Sequence, residues 1–284
     1  MTILVTGATG QLGRLVIDSL LERGAEPSSI VAGVRDFTKA SDIAARGVRT
    51  AVVDYDRADT IAAALEGVDS VLLISGSEVG RRTAQHQAVI DAAKAAGVGK
   101  LVYTSAPKAP TSDLVLAPEH KATEELIAAS GIPAVILRNN WYTENYAGDI
   151  AQARETGVVA ASVGDGRVAS ASRKDFADAA AVVLLEDGHL GQAYELGGDV
   201  AWTYDELAAA IAEVIGSPVE YRALTAEEHA AALESAGLDA GTVGFVTALD
   251  AGIRDGALAD TDGTLARLIG RPTTPLVEGL RPLA

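Results

Sequence analysis

The chain has no cysteine, which excludes disulfides, thiolate nucleophiles and zinc–thiolate centres. Positive charge is scarce. Lys and Arg number 23 against 39 Asp and Glu, for a formal charge of −16. That balance argues against nucleic acid or an anionic membrane surface as a partner. No uncharged apolar run approaches the roughly 20 residues that span a bilayer. No basic region or apolar signal core precedes the first strand, so a bacterial cytoplasmic location is expected. The four histidines, His86, His120, His189 and His229, are scattered without ligand spacing, and no metal site is expected. No Ser sits in a G-x-S-x-G elbow. No Tyr has a Lys four residues on, so a phenol kept acidic by a lysine is missing.

What is present begins at the first residues. Ile3 to Val5 is a short, branched apolar run suited to a strand buried on both faces. Gly7, Gly10 and Gly13 follow at spacing G-x-x-G-x-x-G, with Thr9, Gln11 and Leu12 between them. Leu12, Leu15, Val16 and Leu20 then form an apolar stripe at helical spacing. Strand, glycine turn and helix stand in the order a dinucleotide site requires. Glycine lets the backbone approach a pyrophosphate, and the helix N-terminus offers it N–H groups and a positive dipole end.

Further strands are expected at 30–34, 48–53, 71–74, 101–104 and 134–137, alternating with helices closed by Gly24, Gly67, Gly97 and Gly131. Six strands alternating with helices predict an α/β chain with a doubly wound parallel sheet, the Rossmann arrangement. Ligands lie beyond the carboxyl ends of such strands. The loops there carry Arg35 and Lys39, Asp54 and Tyr55, Ser75, Gly76 and Ser77, Thr104 and Ser105, and Asn139. Arg35 stands 22 residues after Gly13, where an arginine suits the 2′-phosphate of NADP and an acidic residue would suit NAD. The expected cofactor is therefore NADPH.

After Tyr146 the rhythm changes. We read residues 1–146 as the NADP-binding domain and 147–284 as a smaller substrate or lid subdomain, with a strand near 158–163 returning to the sheet. A helix is expected over 174–186, a strand over 193–196, and a capping box at Thr203 and Glu206. Trp141, Tyr142 and Tyr146 are three of only twelve aromatic residues. Their flat faces suit a planar acceptor, and the Asn145 amide suits a carbonyl oxygen. Where a Tyr–Lys pair would stand, the helix after Pro118 carries His120 and Glu124. His120 is either a proton donor or half of a surface His–Glu pair.

Thr-Gly-Ala-Thr-Gly-Gln-Leu-Gly (6–13), Ser-Glu-Val-Gly (77–80), Glu-His-Lys-Ala-Thr-Glu (119–124) and Leu-Arg-Asn-Asn-Trp-Tyr-Thr-Glu-Asn-Tyr (137–146) resemble the NmrA-like atypical short-chain dehydrogenase/reductases. The resemblance extends through 201–203 and 268–274. It is strongest to the flavin-free bacterial NADPH:quinone oxidoreductases, with triphenylmethane reductase a near relative. It implies NADPH in the crevice and a quinone or similar planar acceptor held with the help of Asn145, Tyr142 and Trp141. A monomer or homodimer is expected. Asn140 departs from the family glycine, and the 105–112 loop differs. Two rival functions remain open: an NADP-binding redox sensor without catalysis, and a reductase of dyes or imines.

Overall fold

A computed structural model describes all 284 residues. The chain opens with β1 (Ile3–Val5), α1 (Gln11–Glu22), β2 (Ile30–Val34), α2 (Ser41–Ala45), β3 (Arg49–Val52), α3 (Ala58–Ala64) and β4 (Ser70–Leu73). It continues through α4 (Arg82–Ala95), β5 (Lys100–Ser105), α5 (Ala117–Ser130), β6 (Ala134–Asn139), α6 (Ala147–Thr156), β7 (Val158–Ala161) and β8 (Arg167–Val168). Then come α7 (Arg173–Leu185), β9 (Ala193–Leu196), β10 (Trp202–Thr203), α8 (Tyr204–Ile215) and β11 (Glu220–Ala223). Four helices finish it: α9 (Ala226–Ser235), α10 (Ala240–Arg254), α11 (Thr264–Ile269) and α12 (Leu276–Leu280).

Seven strands form one sheet in the order β3-β2-β1-β4-β5-β6-β9. The chain winds outward from β1 to β3, jumps back to β4, and winds the other way. The switch point lies between β1 and β4, where Val5 pairs with both Ala32 and Leu72. Ile3, Leu4 and Val5 are buried on both faces, which is why β1 reads as a continuous apolar run.

The chain divides into two compact units. The first is Met1–Pro110, Pro118–Asn139 and Arg173–Glu195; the second is Thr111–Ala117, Asn140–Ser172 and Leu196–Ala284. The boundary expected at 146 is thus crossed twice. Helix α7 is the reason. Ten of its thirteen residues are buried, from Asp175 to Leu184, so it has no solvent face. It packs on α1, where the Ser19 hydroxyl donates to Asp178 (2.7 Å) and the Lys174 ammonium to Asp178 (2.6 Å) and Glu22 (2.7 Å). Burying each of its large apolar side chains contributes about 1.5–3 kcal/mol.

The return strand is not at 158–163. There β7 pairs with β11, Val158 opposite Glu220, in a separate two-stranded sheet. The strand that joins the large sheet is β9, and its approach is visible in the bonds Gly191 N–H to Ala134 O (2.8 Å) and Ile136 N–H to Gln192 O (2.9 Å). The near-continuous apolar run of 158–163 does not distinguish a strand of the large sheet from a local pair.

In the second unit the core centres on Tyr146, Trp202 and Tyr204. The Tyr146 ring stands edge-on to Trp202 at 5.1 Å and to Tyr204 at 6.2 Å. The capping box at Thr203 is present, with Glu206 N–H on Thr203 Oγ1 and Thr203 N–H on Glu206 Oε2. A second one stands at Thr225 and Glu228.

Candidate active site

The first unit places the loops that carry the expected cofactor residues at the carboxyl ends of its strands, among them β1, β2, β4, β5 and β6. The β1–α1 turn is built around glycine for stated reasons. Gly7 adopts φ +58, a left-handed conformation that costs other residues roughly 1 kcal/mol or more. At Gly13 a Cβ would lie 2.8 Å from Ala8 Cα and strike the Gly7 carbonyl, so α1 can abut the turn only without a side chain. Ala8 N–H to Gly33 O (3.1 Å) and Gly10 N–H to Gly7 O (2.9 Å) fix the turn. Gly10 is the N-cap of α1 and supplies no side-chain acceptor, and the first turn has no acid. The N–H groups of Gln11, Leu12 and Gly13 therefore have no intrahelical acceptor, and the dipole end is uncompensated. This cradle fits a pyrophosphate.

Arg14 braces that cradle from outside, its Nε donating to the Thr9 carbonyl (3.3 Å). Its guanidinium pairs with Asp42 and donates to the Lys39 carbonyl (2.6 Å), tying the loop after β2 to α1. On that loop Arg35 and Lys39 are exposed, and Arg35 lies 3.8 Å from the Glu78 carboxylate. Arg35 is thus accessible to a phosphate. Asp54 caps its own turn by accepting from Asp56 N–H (3.1 Å). The Tyr55 hydroxyl is used internally, 2.6 Å from Thr6 Oγ1 and 2.9 Å from the Ile74 carbonyl.

Thr6 deserves a structural role that spacing did not suggest. Its hydroxyl donates to Leu72 O (3.0 Å) and accepts from Ile74 N–H (3.0 Å), clamping β1 to β4 at the switch point. Beyond β4, Ser75 N–H donates to Thr104 Oγ1 (2.9 Å). The next residue, Gly76, is held by α4. Its N–H donates to His86 Nε2 (3.0 Å) and its carbonyl accepts from Arg82 Nε (2.7 Å). Glu119 accepts from Gly80 N–H (2.9 Å). The one signal for this was the i, i+4 spacing of Arg82 and His86 on the apolar face of α4, which also buries Val89, Ile90 and Ala93.

The surface His–Glu pair expected at His120 and Glu124 does not exist. His120 is buried, and its Nδ1 lies 2.8 Å from the Tyr103 hydroxyl. Burial, with help from Arg82 and His86, pushes its pKa down to about 3. Glu124 instead takes a bidentate grip from Arg138, at 3.0 and 2.7 Å, and a bond from the Ser105 hydroxyl (2.6 Å). Arg138 also reaches Glu195 (2.8 Å), which accepts from Lys108 N–H (3.0 Å). The loop after β5 is thereby anchored to β6 and β9. Asn139, at the end of β6, is buried.

Trp141, Tyr142 and Asn145 fall in the second unit. Tyr142 bridges to Ala171, and Thr143 N–H donates to Ala171 O (3.0 Å), which fixes the start of this segment. Trp141 is half-buried against the aromatic core, Tyr142 is half-buried, and Asn145 is exposed on a single 3₁₀ turn, Thr143–Tyr146.

A family of NAD(P)H-binding proteins matches residues 7–187, from the first glycine of the cradle to the end of α7. The chain belongs to that family. It is 48% identical over 281 residues to quinone oxidoreductase 2 of Escherichia coli, covering 99% of this chain and 98% of that protein. An NADPH-dependent quinone oxidoreductase from E. coli, solved in complex with NADPH, superposes with a TM-score of 0.94 at 48% identity and 99% coverage of both chains. Citrobacter triphenylmethane reductase, complexed with NADP(H), matches at TM-score 0.93 and 38% identity over 100% of both chains. The doubly wound fold and the family expected from the sequence are thus borne out. No helix is long and apolar enough to cross a membrane.

Proposed function

We propose that the protein is an NADPH-dependent reductase of quinones or similar planar conjugated acceptors. The reading is carried by the uncapped α1 N-terminus at the β1/β4 switch point, in a chain 48% identical along almost its full length to a quinone oxidoreductase. In this proposal the turn from Gly7 through Thr9, Gly10, Gln11 and Leu12 to Gly13 holds the pyrophosphate through backbone N–H groups. Arg35, with Lys39 beside it, takes the 2′-phosphate. Asp54 offers its backbone and Tyr55 its ring, since the Tyr55 hydroxyl is committed to Thr6 and Ile74. Ser75, Gly76, Ser77, Thr104, Ser105 and Asn139 line the remaining path of the cofactor.

When bound, the reduced nicotinamide supplies a hydride. Asn145 donates to the acceptor oxygen as negative charge grows there, and Trp141 and Tyr142 hold the ring plane. A hydride and one proton complete a hydroquinone. Water supplies that proton, because the chain has no Tyr–Lys pair and both His86 and His120 are held neutral by burial. The proposed location is the cytoplasm.

The test is to follow nicotinamide absorbance with NADPH, then NADH, against a panel of benzoquinones, a triphenylmethane dye and an imine. Quinone-dependent oxidation of NADPH supports the proposal. Tight NADPH binding with no acceptor reduced would move the protein to a redox-sensing role.

A further inference from the structure

The loop after β4 is held by a polar assembly that the reaction itself does not use. Gly76 lies pressed against α4: a Cβ there would stand 3.3 Å from Gln85 Oε1. Both of its peptide groups are claimed by that helix, the N–H by His86 Nε2 and the carbonyl by Arg82 Nε. Since Gly76 N–H is a donor, Nε2 must be the bare nitrogen, and the ring proton sits on Nδ1. Nδ1 in turn donates to Thr123 Oγ1 (3.0 Å), whose own proton goes to Glu119 O (2.9 Å). Every proton in this chain of bonds has one place to go.

The ring cannot turn away from that duty. His86 stands edge-on to Tyr103 at 5.4 Å and to Tyr55 at 6.2 Å. It has no exposed surface. Burial and the neighbouring Arg82 charge hold its pKa down at about 3, so Nε2 stays an acceptor throughout the neutral range. Arg82 is itself almost fully buried, and its Nη1 lies 3.4 Å from Glu119, the residue that accepts from Gly80 N–H. The two ends of the 76–80 loop therefore meet in one Arg82–His86–Glu119 assembly.

We propose that His86, held in a single tautomer by its bonds to Gly76 and Thr123, is a positioning residue for cofactor binding: it sets the Gly76 peptide in the orientation that the loop after β4 needs against NADPH. This rests on the NADPH reading given above. A loop at the switch point loses affinity if its peptide plane rotates, because the ligand then has to order it. Removing the acceptor also strands a part-buried N–H, which adds to the cost of the ordered form.

Three variants separate positioning from packing. His86→Leu keeps an apolar side chain of similar reach and removes the acceptor. His86→Gln places an amide oxygen near the Nε2 position with an N–H₂ available towards Thr123. His86→Ala removes both shape and bond. Calorimetry with NADPH alone is the first readout, and steady-state KM and kcat with a benzoquinone the second. We expect His86→Leu to weaken NADPH affinity about tenfold or more, with kcat at saturating NADPH within about twofold of wild type. His86→Gln should recover affinity to within about threefold of wild type. A ring ¹⁵N spectrum of the wild type should show a neutral Nδ1–H tautomer at pH 6. Leu and Gln variants that lose affinity equally, in step with a lowered Tm, would reduce His86 to packing. A Leu variant with unchanged affinity, or a ring that titrates near pH 6.5, would overturn the proposal outright. If the wild type itself does not bind NADPH, it is the cofactor reading that has failed.

Discussion

Acid should destabilise this fold well above the pH at which carboxylates protonate. His86 and His120 are both buried and uncharged, with pKa values near 3 against an ordinary 6.5. In the unfolded chain both take up a proton as pH falls through 6.5; in the folded protein neither does until about 3. The unfolded state thus binds more protons across that window, so stability rises with pH and is lost on acidification. Between pH 8 and pH 5 each histidine accounts for 1.5 pK units, or about 2 kcal/mol at 1.36 kcal/mol per unit. Asp149 works the other way. Burial raises its pKa to about 6, so the folded state protonates it first and regains about 1 kcal/mol by pH 5. The net loss is about 3 kcal/mol, a large share of the roughly 5–15 kcal/mol that holds a typical protein folded. The lowered carboxyls of Asp36, Asp42 and Asp239 add to the loss only at lower pH.

The assay is urea denaturation followed by far-ultraviolet circular dichroism at pH 8, 7, 6 and 5. Tryptophan fluorescence is a poor substitute, because Trp141 and Trp202 both lie in the second unit. The expected trace falls steadily below pH 6.5, and His120→Asn should flatten it by about half of the histidine share. A free energy of unfolding that stays constant from pH 8 to 5 would refute the reasoning.

Five substitutions probe the proposed cofactor and acceptor residues. Gly13→Ala drives a Cβ into Ala8 and the Gly7 carbonyl; calorimetry should find NADPH binding lost, and Tm should fall. Arg35→Ala should raise KM for NADPH by about one to two powers of ten and leave NADH little changed, since a charge-assisted bond to phosphate contributes roughly 1.5–3 kcal/mol; equal losses for both cofactors would make Arg35 structural. Asn145→Ala should cut quinone turnover by about 10²–10³ with NADPH affinity kept, whereas Trp141→Ala or Tyr142→Ala should chiefly raise KM for the acceptor. Wild-type turnover in Asn145→Ala would remove that residue from the mechanism.

The parts of this fold legible in the sequence are those written in short-range chemistry. Gly7, Gly10 and Gly13 announce the cradle because each serves a contact within a few residues of itself. Thr203 and Glu206 announce a helix start because both halves of a capping box lie three residues apart. The misread parts depend on partners far along the chain. His120 and Glu124 share one face of α5, and i, i+4 spacing alone makes them a surface pair. What separates them is Tyr103 on β5, which takes His120, and Arg138 on β6, which takes Glu124. Helix α7 and strand β9 look like parts of the C-terminal region until the sheet edge at β6 and the face of α1 are in place to receive them.

The same distinction bears on how the switch point is kept in shape. Its backbone is shaped by glycines, which contribute no side-chain bonds, so its rigidity must be imported. Thr6 clamps β1 to β4, Arg82 and His86 fix Gly76, and Glu119 fixes Gly80. All four are polar and all four support the loop from behind, so a sequence scan for ligand-facing residues passes over them. An unmade bond at a buried polar residue costs about 1–3 kcal/mol, and Arg82 Nη1 leaves one unmade. Completeness is what the His86 chain displays, from Gly76 N–H through the imidazole and Thr123 to the Glu119 carbonyl. Its cost in acid stability and its value in loop geometry therefore have one origin: an imidazole that must remain neutral to accept a bond.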